Sequence, residues 1–498
     1  MLSLVLASLL PALAHAQTVQ TFAPPAACPV CVSGNYTGMS NGSLPVAPVV
    51  AGKSYDRFIT IWLENTDFAS AAASSVFQSI AKQGILLTNY NGVTHPSEPN
   101  YVAAMAGDFF GMGDDNNYYL PSNVSSMVDL LEAKNVSWAS YQENMPYDGF
   151  AGDYAQTNYL NASAGSYTYY KRKHNPHIIF NSVASNPNRA LRVRNFNDFA
   201  VDVNASALPQ HVWITPNLVN DAHDTDVTFV SAWLSYWLEP LLNNTQFNNN
   251  RTLIQLTFDE NESYTIQNTV YTVLLGGAVP ENLRGTNDST FCEWHANELC
   301  RRVAAPESPA DSVDTHYSMM SSTQNNWGLG SLGRQDTNKT VAAVWNFQAN
   351  QTGYTNYVPS AAEIPMLNLT TIFPGAANTG IWTPILAPNV SAVGAGGGSV
   401  FYNSSSTNTS LTSYTAQNLT AMNLVNPDTI NPNYTYVGFN VDNTSSPAAI
   451  SASSAQHASA AATSGASAAT TSKASAGEKT VATGGVLGAL ALGLAMLL

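Results

Sequence analysis

The stretch Thr94–Gly107, THPSEPNYVAAMAG, sets a histidine, a serine, an acid and two prolines ahead of smooth helical sequence. Ser97 stands at the helix entrance, because Glu98 and Pro99 suit a first helical turn. Such a serine ordinarily caps, its hydroxyl accepting from the backbone N–H of Asn100 or Tyr101. The same geometry permits a second use. Free N–H groups and the positive helix end can hold a phosphate over the hydroxyl. A nearby cation would lower that hydroxyl's pKa and make Ser97 a nucleophile. No GxSxG surrounds it, so a strained hydrolase elbow is not indicated.

Three further polar clusters follow apolar runs. RFITIWL leads into Glu64-Asn65, HVWIT into PNLVNDAHD (Pro216 to Asp224), and TLIQLTF into Asp259-Glu260. In open α/β sheets ligands bind beyond the carboxyl ends of strands, so all three clusters can face one crevice. Glu64, Asn65, Asp259 and Glu260 offer only oxygen donors, which suits a hard divalent cation or a borderline one such as zinc. The alternative is that these acids cap helices or pair with bases; 18 Lys and Arg against 33 Asp and Glu leave many acids without such a partner. His174 lies in YKRKHNPHIIF beside Lys173, His223 in NDAHD and His316 in DTHYS. Together they can supply donors to an anionic substrate and a general acid.

The elements that must position these residues are legible as alternating patterns. RFITIWL, HVWIT and TLIQLTF read as buried strands, with VYTVLLGG as a fourth. SAAASSVFQSIAKQG reads as a helix starting near a Ser70 cap and stopping at Gly84. SMVDLLEAKN and VTFVSAWLSYWLEPLL carry apolar residues at three- and four-residue steps. Strands alternating with helices predict an α/β sandwich around a mostly parallel sheet.

Only 10% of the 498 residues are charged, yet the formal net charge is −15; an ordinary charged share is about 25%. Nineteen Asn-x-Ser/Thr sequons, among them Asn35, Asn123, Asn161, Asn250, Asn338, Asn389 and Asn433, point to a surface kept soluble by N-linked glycans. Residues 1–16 fit a signal peptide cut after Ala16, although a positive n-region is missing. Residues 17–52 read as an extended arm, 53–375 as the catalytic body, and 376–444 as an Asn/Thr/Gly-rich irregular or β-rich extension. Residues 445–485 form a Ser/Ala/Thr-rich stalk that cannot bury enough apolar surface to order itself. Small residues Ser475, Ala476 and Gly477, a polar spacer and the apolar tail 486–498 match a lipid-anchor signal. That tail is too short to span a bilayer, which needs roughly 20 apolar residues. Four cysteines in a secreted chain suggest two disulfides, most simply Cys28–Cys31 and Cys292–Cys300. The basic composition of a nucleic-acid binder is absent.

WLENTDF, THPSEPNY, KHNP, TPNLVNDAHD, LTFDE, THYS and NNWGLGSLGRQD occur in order over about residues 55–340. The set resembles the phosphoesterase family of fungal acid phosphatases, which also contains phospholipases of the C type. The resemblance implies an alkaline-phosphatase-like three-layer α/β sandwich. It also implies one divalent metal ion, held by Glu64, Asn65, Ser97, Asp259 and Glu260. Ser97 would be the nucleophile that also touches the metal. Asn100 and His174 would bind the substrate phosphate, and His316 or His223 would protonate the leaving alcohol. KHNPH and NDAHD depart slightly from commoner forms with Phe and Gly.

The expected activity is hydrolysis of small phosphomonoesters through a phosphoserine, by a secreted or cell-surface enzyme that meets the membrane only through a C-terminal lipid anchor. A phosphodiesterase or phospholipase C on the same fold is the near rival. A non-catalytic cell-wall glycoprotein is the distant one, and it would require the strand-end acids to be accidental.

Overall fold

The computed structural model describes residues 38–288, 313–360, 363, 373–378 and 380–418. The leader, all four cysteines, the stalk and the lipid-anchor tail lie outside the described residues.

Eight strands form one sheet in the order Thr286–Asn287, Ile85–Leu87, Thr272–Leu275, Thr252–Phe258, Arg57–Leu63, His211–Thr215, Trp138–Gln142 and Val193–Asn195. The Arg57–Leu63 strand sits between two parallel neighbours, with Ile59 opposite both Val212 and Ile254. Near-continuous burial along RFITIWL, HVWIT and TLIQLTF is what a parallel sheet covered on both faces demands. Thr272–Leu275, from the fourth apolar run, is the antiparallel strand of the sheet, set between Thr252–Phe258 and Ile85–Leu87.

Side-chain alternation assigns the layers. Trp62 packs on Trp213 at 4.5 Å, Tyr101 at 4.8 Å and His316 at 4.4 Å between ring centroids. The helices Ser97–Ala106 and His316–Trp327 therefore cover one face. Phe258 is in register with Leu63, on the opposite face from Trp62, and meets Phe77. The Ser75–Ala81 helix and its neighbour Val227–Leu242 cover that second face. The result is a three-layer α/β sandwich about a large, mostly parallel sheet.

The sequence reading of one helix after a Ser70 cap needs correcting. Helical structure begins at Phe68 and breaks after Ala73, where Ser74 turns extended before the Ser75–Ala81 helix. Ser74 spends its hydroxyl on Ser231, 2.8 Å away on the Val227–Leu242 helix, so a tertiary contact overrides the local helical pattern. VTFVSAWLSYWLEPLL is helical throughout, with Asp226 capping Thr228 and Phe229.

Residues 38–50 contain no regular structure and are pinned at one end by a buried ionic knot. Arg194 lies 3.1–3.3 Å from Asp148, Asp198 and Asp202. Leu44 N donates to Asp202 at 2.6 Å, and Asn195 and Asn197 hold the carbonyls of Met39 and Gly38. Within 380–418 the regular structure is the strand pair Ile381–Trp382 and Gln417–Asn418.

Candidate active site

Because three adjacent strands run parallel, the residues just past their ends emerge together. Glu64 N donates to Asp221 O at 2.9 Å, Asp259 N to Leu63 O at 3.0 Å, and Asn65 N to Asp259 Oδ1 at 3.3 Å. Glu64, Asp221, Asp259 and Glu260 are all fully buried. Asn65 sits at φ +28, a left-handed conformation that Asn tolerates better than most residues.

Ser97 comes from the opposite direction, on the first turn of the Ser97–Ala106 helix after a cis His95–Pro96 bond. Pro96, not Ser97, takes the N-cap position, and Ser97 is the first helical residue. Its Oγ lies 3.1 Å from Glu64 Oε2, 3.2 Å from Glu260 Oε1 and 3.3 Å from Asn65 Oδ1. One proton cannot serve three acceptors. These spacings have a different reading. Adjacent ligands of an octahedral cation with metal–oxygen bonds of about 2.1–2.3 Å stand roughly 3.0–3.3 Å apart. Asp259 Oδ2 is also buried without a hydrogen-bond partner. The donor set thus fits a divalent cation, which Glu64, Asn65, Ser97, Asp259 and Glu260 would hold.

The charges agree. Burial first, then the negative Asp259 and Asp221, hold the Glu64 carboxyl well above its usual range. Burial followed by Asp259 and Asp115 does the same for Glu260, and burial lifts Asp221. Asp259 is raised to about 6 by burial, although bonds from its neighbours oppose this. A bound cation would reverse these shifts. Glu64, His174 and His223 form a second grouping, with ligand atoms within 4.8 Å of one another. That spread is looser than the 3.1–3.3 Å set around Ser97.

The histidines divide. His174 Nδ1 is 3.5 Å from Glu64 Oε1, and its Nε2 is buried without a partner. Burial, then the neighbouring Lys173 and His223, hold His174 far below the ordinary imidazole range. His223 Nδ1 meets Asp224 Oδ1 at 2.7 Å, and the two rings His174 and His223 are 5.5 Å apart. Asp224 is held below its usual value: burial would raise it, but bonds from His223 and Tyr167 outweigh that.

His316 does not fit the general-acid expectation. Its Nε2 is 2.5 Å from the Asp259 carbonyl, its Nδ1 is 3.2 Å from the Tyr90 hydroxyl, and the ring is fully buried. Both nitrogens are spent on holding the Asp259 strand end to the helix layer. Asn100 likewise departs from phosphate binding. Its Oδ1 accepts from Val93 N at 2.8 Å and Thr94 N at 3.1 Å, while Nδ2 donates to Thr94 O at 2.8 Å and Pro96 O at 3.2 Å. It staples the loop that presents Ser97.

Other residues enter that pattern alone did not single out. His95 Nδ1 is 2.5 Å from Glu260 Oε2; it stands two places before Ser97 in the same motif, which was its available signal. Tyr101 donates its hydroxyl to Glu64 Oε1, one helical turn beyond Ser97. Lys173 reaches Asp115 at 2.6 Å, and Asp115 accepts from Glu98 N at 2.9 Å, so a carboxylate covers an N–H of the helix's first turn. Burial would lower the Lys173 ammonium, but Asp115, Glu64 and Glu98 together push it up.

The phosphoesterase family matches residues 51–280 of the chain. An acid phosphatase of Aspergillus fumigatus is 44% identical over 340 residues, covering 68% of this chain and 68% of that protein. A phosphate-repressible acid phosphatase of Penicillium chrysogenum is 42% identical over 339 residues, covering 68% of this chain and 74% of that one. Among solved structures, a Vibrio parahaemolyticus protein in the alkaline phosphatase superfamily aligns with a TM-score of 0.32 at 8% identity, covering 58% of this chain and 71% of that chain. With shared sequence over two thirds of both partners, the chain belongs to the phosphoesterase family and, within it, to the acid phosphatases, which are phosphoric ester hydrolases.

Proposed function

We propose that the protein is a secreted or cell-surface acid phosphatase that hydrolyses phosphomonoesters through a phosphoserine on Ser97. The observation that carries this reading is a helix-entrance serine whose hydroxyl faces Glu64, Glu260 and Asn65 oxygens at 3.1–3.3 Å. A divalent cation bound by Glu64, Asn65, Ser97, Asp259 and Glu260 would supply charge neutralisation and a lowered serine pKa.

The chain's own residues do the rest. Ser97 Oγ, deprotonated to the alkoxide by that lowered pKa, attacks phosphorus, the phosphorus–oxygen bond to the alcohol breaks, and a protonated His223 gives that alcohol its proton. Asp224, hydrogen-bonded to His223 Nδ1, orients the ring for this transfer. Lys173 and the free Nε2 of His174 hold phosphoryl oxygens. Water then attacks the phosphoserine, loses a proton to His223, and releases phosphate and the Ser97 alkoxide, which restores the starting state. His316 and Asn100 position strand end and loop in this scheme and do not touch substrate.

The location rests on the leader, the stalk and the sequons. Of the fifteen sequon asparagines among the described residues, fourteen are exposed or half-buried and one, Asn261, is buried. That distribution supports N-linked glycans on the body. No helix among the described residues is long and apolar enough to cross a membrane; attachment would come through the C-terminal lipid anchor.

The test is Ser97→Ala with a chromogenic phosphomonoester, together with acid-quench trapping of labelled phosphoserine. Turnover should fall by at least about 10³-fold with an unchanged melting profile, and no label should be trapped. Near-normal turnover would refute the assignment.

A further inference from the structure

The loop 261–268, directly after the Asp259-Glu260 strand end, displays one large aromatic ring at the site. Tyr264 is 50% exposed, as is Ile266 two residues on. The loop that carries them is firmly held. Asn261 N donates to Asn268 Oδ1 at 2.8 Å, and Ser263 N and Oγ donate to Asp67 at 2.9 and 2.6 Å. Asn268 Nδ2 reaches Thr94 O at 2.9 Å, which ties the loop to the segment presenting Ser97. A large ring held half in water on a fixed loop gains little for folding from its exposed part.

One part of that ring is in use. It stacks on His95 with centroids 4.2 Å apart and planes 27° from parallel. His95 in turn abuts Glu260, whose other oxygen is 3.2 Å from Ser97 Oγ. Two side chains therefore separate the ring from the nucleophile. Electrostatics report the same proximity: burial, then the negative charges of Glu260, Asp115 and Asp259, push the Tyr264 hydroxyl up to about 12.

We propose that Tyr264 is the leaving-group platform of this site, and that it favours aryl phosphomonoesters by stacking with the departing phenol ring. This rests on Ser97 being the nucleophile, since that residue fixes where phosphorus sits. A small alkyl group attached to the same phosphate offers no flat face to the ring and gains nothing from it. Tyr264 contacts the leaving group and takes no part in proton or phosphoryl transfer.

The experiment compares kcat/KM for phenyl phosphate and glycerol 3-phosphate in the full protein and in Tyr264→Ala and Tyr264→Phe. It also compares inhibition by phenylphosphonate and methylphosphonate, neither of which is hydrolysed. Tyr264→Ala should lose about three- to tenfold on phenyl phosphate and on phenylphosphonate affinity. It should stay within twofold on the glycerol ester and methylphosphonate, and Tyr264→Phe should keep the wild-type ratios. An unchanged aryl-to-alkyl ratio in Tyr264→Ala, or equal losses on both classes, would overturn the proposal. The phosphonate ratio reads Tyr264 without hydrolysis of the phosphonate, whereas failure of the nucleophile assignment shows only in Ser97→Ala activity.

Discussion

Glu143 sits just past the end of the Trp138–Gln142 strand, buried, with its carboxylate accepting from Asn217 N at 3.0 Å and Asn220 Nδ2 at 2.9 and 3.0 Å. Burial raises it from 4.5 to about 7, more than these bonds lower it. The folded state therefore keeps a proton that the unfolded chain releases. The stabilisation is fully present below about 4.5 and is lost as pH rises through about 7. Moving the carboxyl from 4.5 to about 7 corresponds to about 3 kcal/mol. Glu143→Gln removes that titration and keeps the shape. Asn220 Oδ1 has no partner, so turning the Asn220 amide over lets it accept from the new Gln amide. At about 2.1 cal/mol/K per residue over the described residues, 3 kcal/mol corresponds to about 4 °C. Thermal unfolding should thus give the variant a Tm about 4 °C above wild type at pH 8, and the same Tm at pH 4.5. A Tm difference that does not change between those two pH values would refute the reasoning.

Two more outcomes follow from single residues. Ala222 is a buried non-glycine at φ +88 between Asp221 and His223, in the motif whose commoner form has Gly; Ala222→Gly should relieve backbone strain of about 1 kcal/mol and raise Tm by about 1 °C, with kcat within twofold. A lower Tm would show that the rigidity of Ala outweighs its strain. Asp259→Asn should reduce the divalent metal that co-purifies with the protein, measured by elemental analysis, because it removes charge at an oxygen that has no other buried partner; unchanged metal content would move Asp259 out of the proposed shell.

Much of the fold was legible because parallel strands covered on both faces must be apolar along their whole length. RFITIWL, HVWIT and TLIQLTF coincide with strand bounds for that reason. The crevice was legible for a related reason, since chemistry at strand ends depends on order and direction rather than on detailed packing. What sequence could not supply was the division of labour among similar residues. His316, His223 and His174 look alike in a string, yet one is pinned between Tyr90 and a backbone carbonyl, one leans on Asp224, and one has a free nitrogen. Asn100 reads as a site residue by its motif, but its amide fits the turning backbone at Thr94 and Pro96. The break at Ser74 is tertiary too, since Ser231 is 157 residues away in the chain.

Glu143 belongs to a wider pattern that bears on where this protein is stable. Burial also raises Asp108, Asp288 and Asp314, with Asp288 adding to the effect on Asp314. Each of these groups favours the folded state increasingly as pH falls from neutrality towards the ordinary carboxyl range. Five histidines lowered by burial oppose them among the described residues. His177 and His211 are fully buried, make no hydrogen bond at any ring nitrogen, and are lowered to about 3 by burial, with His211 adding to the effect on His177. Their contribution is complete above about 6.5 and is lost as pH falls through about 3. Outside the proposed metal ligands, eight carboxyls are raised by burial and five imidazoles lowered among the described residues, so the carboxyls prevail by number. Once the unfolded carboxyls are protonated, near pH 4, the lowered histidines go on losing their contribution, and so do Asp56 and Asp224, whose carboxyls are held below their usual range. The stability maximum therefore falls on the acid side of neutrality, and buried imidazoles join the lowered carboxylates Asp56 and Asp224 in setting its lower limit.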